Sequence, residues 1–90
     1  MNASLTLEAR IDEAQSWADT ALVEAQHAKH ASIDYYKPKA MEALKYAAMA
    51  VGYVKRANKA LESSNESDAR YYVIKAEHMT AKSRKISLAL

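Results

Sequence analysis

The chain has 90 residues, and its hydrophobic half is dominated by 19 alanines, with one tryptophan and no phenylalanine. A chain of this length buries only about 60–65% of its unfolded surface, which argues against a large enclosed active-site cavity and favours a binding surface. The absence of cysteine excludes disulfides, thiolate metal sites and a cysteine nucleophile, and a net charge of +2 is too small to indicate a partner.

The first predicted helix covers residues 4–34. Apolar or small residues recur along it at alternating spacings of four and three, which places them on one face of a helix. This stripe consists of Leu7, Ile11, Ala14, Ala18, Ala21, Ala25, Ala28 and Ser32. Pro38 requires the helix to end before it, because proline disfavours the helical region for the preceding residue and does not fit a helix interior.

The second and third predicted helices cover residues 38–63 and 66–89. Pro38 suits the first turn of the second helix. A polar run at 63–68 separates the two helices. In this run Asn65 is able to adopt the left-handed conformation that ends a helix. Asn65 or Ser67 is able to cap the third helix. The two stripes are Ala40, Ala43, Ala47, Ala50, Val54, Ala57 and Leu61, and then Ala69, Tyr72, Ala76, Met79, Ser83, Ile86 and Leu90.

Both connections are short, so neighbouring helices are expected to run antiparallel. The sequence therefore predicts an all-α fold, an up-down-up three-helix bundle with heptad, coiled-coil-like and alanine-rich packing, in which residues 1–90 form a single domain. Alanine contributes little buried area, so we expect the larger side chains to fill the gaps between stripes. These are Trp17, Leu22, Ile33, Leu44, Val51, Val54, Leu61, Val73, Ile74, Met79 and Ile86. Gly52, inside the second helix, suggests a close helix crossing.

Charge is distributed unevenly along the chain. Residues 1–34 carry two basic and six acidic side chains, a net of −4, whereas residues 35–90 carry eleven basic and five acidic ones, a net of +6. One interpretation is an acidic helix packed beside two basic ones, which fixes their order in the bundle. The other is a basic face for phosphate or an anionic lipid surface.

One segment has the spacing of metal ligands, since Glu24, His27 and His30 project from nearly the same side of a helix. Di-iron bundles need the Glu-x-x-His pair on two helices, with two further inward glutamates. Here the pair occurs once, so we predict no metal site and no cofactor. No Ser/His/Asp arrangement, phosphate-binding glycine loop or convergent carboxylate pair exists either, so we predict no catalytic residues and no enzymatic activity.

Six tyrosines replace phenylalanine completely. Tyr46 and Tyr53 are seven residues apart, so they share a face of the second helix. Tyrosine serves both boundary packing and binding surfaces, and both interpretations stay open here. The candidate partner surface consists of Tyr46, Tyr53, Lys45, Lys55, Arg56 and Lys59. Nucleic-acid binding by such a surface stays open, although the chain has no helix-turn-helix spacing, zinc finger or strand-borne aromatic platform.

The pattern resembles a family of alanine-rich bacterial envelope domains, found in small lipoproteins and periplasmic proteins, over about residues 14–90. The likeness lies in the alanine-spaced first helix, the Tyr36-Lys37-Pro38 junction that opens the second helix, the polar turn at 64–66 and the alanines of the last helix. The resemblance implies an exported, non-enzymatic structural or scaffolding domain and brings no catalytic residues.

The expected function is therefore a structural or scaffolding domain of the bacterial cell envelope that acts through protein contacts or self-association. The alternative is an intracellular helical adaptor or a nucleic-acid-associated bundle that uses the basic, tyrosine-bearing face of helices 2 and 3. No apolar run reaches the length of a transmembrane helix, and the first ten residues lack the pattern of a signal peptide. We therefore expect the periplasm or envelope if a signal peptide has been removed, and otherwise the cytoplasm.

Overall fold

The structure is a computed structural model that describes residues 6–90. It contains three α-helices, α1 (Leu7–Ala31), α2 (Lys37–Glu62) and α3 (Glu66–Ala89), and no strand within the described residues. Each helix packs against both of the others. The predicted all-α three-helix bundle is confirmed.

The helix boundaries differ from the predicted ones mainly in α1. This helix begins after Thr6, whose side chain accepts a hydrogen bond from the backbone N–H of Ala9 at 3.1 Å, and the predicted start at residue 4 lies outside the described residues. It ends three residues before the predicted boundary, because the backbone is already extended at Ser32. A turn is then closed by a hydrogen bond from the Tyr36 N–H to the Ile33 carbonyl at 2.9 Å.

The turn between α2 and α3 ends one helix and starts the next within three residues. The left-handed residue is Ser64, with φ of 61°, and not Asn65 as the sequence suggested. The Asn65 N–H donates to the Ala60 carbonyl at 2.8 Å and the Ser64 N–H to the Leu61 carbonyl at 2.9 Å, which is the Schellman pattern of a helix end. Asn65 also caps α3, as predicted, because its side chain accepts from the Asp68 N–H.

Contacts between the helices establish their directions. Ser83 donates a hydrogen bond to the Ala43 carbonyl at 2.7 Å, and the Tyr72 ring stacks with the Tyr53 ring. Residue numbers therefore rise along α3 in the direction in which they fall along α2. These two helices are antiparallel. Between α1 and α3, Arg10 pairs with Glu77 and Glu24 with Arg84, so α1 and α3 are parallel and the order is up-down-up.

The core is built mostly from alanine. The buried residues of α1 and α2 belong to the predicted stripes. On α3, however, Val73 and Thr80 are buried, whereas the predicted stripe residues Tyr72 and Met79 are only half-buried. The reason is that α3 packs on two helices, with Tyr72 directed towards α2 and Thr80 towards α1. The buried core residues are Ile11, Ala14, Ala18, Ala21, Ala25, Ala40, Ala43, Ala47, Ala50, Val54, Ala57, Ala69, Val73 and Ala76.

Three large side chains expected to fill the core are instead exposed: Trp17 by 46%, Ile33 by 66% and Ile74 by 39%. Alanine seams let the helices approach closely, which leaves no room for bulky groups between them. Gly52 also lies on the outer surface, and a Cβ built on it meets no atom within 4 Å. The expectation of a close helix crossing at Gly52 was therefore wrong.

Candidate protein-interaction surfaces

The two tyrosines predicted to form a partner surface lie at the boundary between α2 and α3. Both are half-buried. Tyr53 stacks on Tyr72 with ring centroids 6.3 Å apart and 23° between the planes, and the Lys82 ammonium lies 5.4 Å from the ring centroid of Tyr46. The two rings therefore pack α2 against α3 and also reach the surface.

The basic residues of the predicted surface are only partly brought together. Arg56 lies over two rings, with its guanidinium carbon 5.5 Å from the Tyr53 centroid and 5.9 Å from the Tyr72 centroid. Lys45 and Lys59 are exposed on the outer side of α2, on the same line as Gly52. Lys55 follows Tyr53 by two residues, about 200° around the helix, so it faces away from the two tyrosines.

Two lysines of α3 complete this surface and were missed from sequence. Lys75 lies 5.6 Å from the Tyr71 ring centroid, and Lys82 covers Tyr46. Each such cation–π contact is worth about 0.5–1 kcal/mol at an exposed site. The register between α2 and α3 assigns Lys82 to Tyr46, whereas Lys75 and Tyr71 are four residues apart on α3 and meet within that helix. We call this surface the tyrosine face; it consists of Tyr46, Tyr53, Tyr71 and Tyr72 with Arg56, Lys75 and Lys82.

A second surface, absent from the sequence-based prediction, is a groove of about 620 Å³ between α1 and α3, which we call the α1–α3 groove. Trp17 forms one wall, and Thr80 is 7% exposed with its hydroxyl unpartnered among the described residues. The groove therefore combines an exposed aromatic ring with a buried hydroxyl that has no hydrogen-bond partner among the described residues. Its lining residues are Arg10, Glu13, Ala14, Trp17, Glu77, Thr80, Ala81 and Arg84.

Two arginine–carboxylate pairs connect α1 and α3 beside this groove. Arg10 donates to both carboxylate oxygens of Glu77, at 2.9 and 2.8 Å, and Arg84 donates to both oxygens of Glu24, at 2.9 and 3.2 Å. These hydrogen bonds raise the pKa of each arginine, against the opposing effect of burial. A basic group whose pKa is raised in the folded protein stabilises the fold fully at any pH below its ordinary pKa. The neutral range lies far below the ordinary pKa of arginine, so both arginines remain charged there.

The apolar surface continues along α3 beyond the groove. Ile74, Ala81 and Leu88 are exposed and spaced by seven residues, so they form one line on the helix. Leu88 also lines a second groove, of about 500 Å³, at the end of the bundle where α1 and α3 finish. The Glu24–Arg84 pair separates the two grooves, since Arg84 lines the first and Glu24 the second.

The segment with metal-ligand spacing lies on the surface of α1. Its carboxylate is engaged, because Glu24 accepts both hydrogen bonds from Arg84, whereas His27 and His30 are exposed. Within residues 6–90, no three histidine, aspartate or glutamate side chains are grouped as metal ligands would be. That the protein binds no metal remains a prediction, which a titration tests.

None of the helices formed by residues 6–90 combines the length and the apolar character needed to cross a membrane. Comparison with known protein families, with characterised proteins and with solved structures finds no significant match to this chain.

Proposed function

We propose that this protein is a non-enzymatic structural or scaffolding domain that acts through protein–protein contacts or self-association. The observation that carries the proposal is the α1–α3 groove with its half-exposed Trp17. Tryptophan is enriched among the residues that contribute most to binding at protein interfaces. In an alanine-rich bundle whose core does not need this ring, an exposed tryptophan on a groove wall is better explained by contact with another protein than by folding.

The shape of the groove fits a helical partner. Its floor contains Ala14 and Thr80 and its α3 edge contains Ala81, so small residues lie between two parallel helices. The charged side chains of Arg10, Glu77 and Arg84 border them. A partner helix lays its apolar face in such a groove and inserts side chains three or four residues apart. Ile74 and Leu88, in line with Ala81 on α3, would extend that contact along the bundle.

The bacterial cell envelope is the location that we propose, on the strength of the resemblance to alanine-rich envelope domains. An exported bundle without cysteine is compatible with an oxidising compartment. Cell fractionation of the natural host tests this location: recovery with the periplasm or envelope supports it, and recovery with the cytoplasm supports the adaptor alternative.

Photo-crosslinking in the natural host tests the proposed function. A photoreactive phenylalanine derivative replaces Trp17 in one variant and Tyr35, which is 81% exposed outside the groove, in a matched control. We expect a discrete adduct of defined mass from position 17 and none of that mass from position 35. A chain that forms no adduct at position 17, while circular dichroism shows it to be folded, contradicts the proposal.

A second candidate function is binding of nucleic acid at the tyrosine face. It is favoured by the row of cations Arg56, Lys75 and Lys82, which lie over tyrosine rings. Phosphate neutralisation makes such binding fall steeply with salt, so affinity for single-stranded and duplex DNA is measured at low and at physiological salt. Binding that is absent even at low salt eliminates this candidate.

A further inference from the structure

We propose that the tyrosine face binds α1 of a second copy of this chain, so that the protein assembles head to tail. This inference rests on the proposed scaffolding function, and it names the partner of one of its surfaces. The complementary surface, which we call the acidic ridge, consists of Glu8, Asp12 and Asp19. All three are exposed, and none forms an ion pair with any residue in the described part of the chain.

The acidic ridge lies on one side of α1. Glu8 and Asp12 are four residues apart, and Asp12 and Asp19 are seven apart, so the three side chains share a face of the helix. Asp19 follows Trp17 by two residues, about 200° around the helix. The ridge is therefore directed away from the α1–α3 groove, and none of its carboxylates forms an ion pair with a cation on the tyrosine face of the same copy.

The charges of the two surfaces are opposite. Each of the three ridge residues is a carboxylate, whereas the tyrosine face carries three cations, Arg56, Lys75 and Lys82. Glu24 and Glu77, which are acidic residues at the groove edges, are already engaged because each pairs with an arginine. The net charges of −4 in residues 1–34 and +6 in residues 35–90 show the same asymmetry over the whole chain.

The spacing of the charges also matches. Asp12 and Asp19 are separated by seven residues of helix, and so are Lys75 and Lys82, which gives about 10.5 Å along the axis in each case. A helix α1 lying along α3 of another copy therefore brings two ion pairs into register at once. Tyr71, 56% exposed beside Lys75, adds an aromatic ring to the contact.

The contact joins two different surfaces, so it is heterologous and leaves one surface of each kind free at the ends. Repetition of such a contact generates a ring or an open chain of copies. Exposed ion pairs are individually weak and are screened by salt. The assembly is therefore expected to be strongest at low ionic strength and to dissociate as salt is added.

Sedimentation velocity of the full chain tests the inference. At about 20 mM salt we expect oligomers whose size grows with protein concentration. At about 300 mM salt we expect the association constant to be lower by a factor of about ten or more. The variant Asp12→Lys with Asp19→Lys, and the variant Lys75→Glu with Lys82→Glu, should each be monomeric when alone. When the two variants are mixed, the lysines on the ridge of one meet the glutamates on the tyrosine face of the other, so association should return.

A control variant has the same change in net charge away from the ridge. Asp34→Lys with Glu62→Lys changes two exposed acidic residues that belong neither to the acidic ridge nor to either groove, and it should associate as the unchanged protein does. A protein that is monomeric at low salt, or charge-inverted variants that fail to associate with each other, overturns the inference. If association persists in both charge-inverted variants but is lost in Trp17→Ala, the copies associate through the α1–α3 groove. That result overturns this inference and supports the proposed function.

Discussion

Arg84 stacks on Trp17, with its guanidinium carbon 4.7 Å from the indole ring centroid. The same guanidinium donates to both oxygens of Glu24. One side chain of α3 therefore holds the ring and a carboxylate of α1 at once. Because the bidentate geometry fixes the plane of the guanidinium, it also fixes the orientation in which Trp17 is presented on the wall of the groove.

Removing the Arg84 side chain should change the surroundings of Trp17 more than it changes the fold. In Arg84→Ala we expect tryptophan emission to shift to longer wavelength and acrylamide quenching to increase, because the ring loses its covering cation. Arg84→Lys should recover only part of the effect, since an ammonium cannot reproduce the planar, two-pronged contact. Lys85→Ala, an exposed neighbour, is the control, and a spectrum that changes equally in both variants would contradict the assignment.

Ile11 and Ile33 provide a matched pair of core and surface positions. Ile11 is fully buried and Ile33 is 66% exposed. Ile11→Ala should lower the free energy of unfolding by about 2–5 kcal/mol, a large part of the roughly 5–10 kcal/mol expected for such a domain. Ile33→Ala should change it by less than about 0.5 kcal/mol. Urea denaturation measures both, and equal losses would mean that Ile33 belongs to the core.

The tyrosines of α2 should contribute to stability as well as to binding. Because Tyr53 packs on Tyr72 and both Tyr46 and Tyr53 are half-buried, the double change to alanine should cost about 1–3 kcal/mol, less than the loss of fully buried aromatic rings. Thermal melts at high salt separate folding from association. Tyr71→Ala is the control, since that ring is more exposed; a double variant as stable as the control would show that the rings serve only as a contact surface.

Gly52→Ala should stabilise the protein by about 0.5–1 kcal/mol. The glycine lies inside α2, where alanine has the better helix propensity, and the added methyl group meets no atom within 4 Å. The gain should be seen as a higher denaturation midpoint with an unchanged slope in urea. A loss of stability would indicate that another helix approaches Gly52 more closely than the structure shows.

Titration with zinc or iron(II) tests the predicted absence of a metal site. Since Glu24 is engaged by Arg84, His27 and His30 lack the third ligand that tight binding requires. We expect no stoichiometric binding and no rise in melting temperature, and His27→Ala should behave as the unchanged chain does. Stoichiometric binding that disappears in His27→Ala would show that the Glu24–Arg84 pair opens to admit a metal.

Sequence reasoning predicted the surface chemistry less well than the helices. Tyr46, Tyr53 and Arg56 do share a surface, because residues seven or three apart on one helix lie on the same side. The sequence does not predict that Lys75 and Lys82 lie on that surface as well, because this depends on how α3 is placed against α2. The expectation that Trp17 fills the core was wrong for a similar reason, since hydrophobicity alone does not distinguish the buried side of a helix from the edge of that side.

The sequence by itself determined the three helices, their order and the alanine seams of α1 and α2, because helix propensity, proline and asparagine boundaries and the 3.5-residue repeat act over a few neighbouring residues. Only the tertiary structure decided that Thr80 is buried while Tyr72 and Met79 are half-buried, and that Trp17 forms the wall of a groove. The physical reason is that α3 packs closely on both of its neighbours, so its rotation about its axis is set by two contacts and not by its own stripe alone.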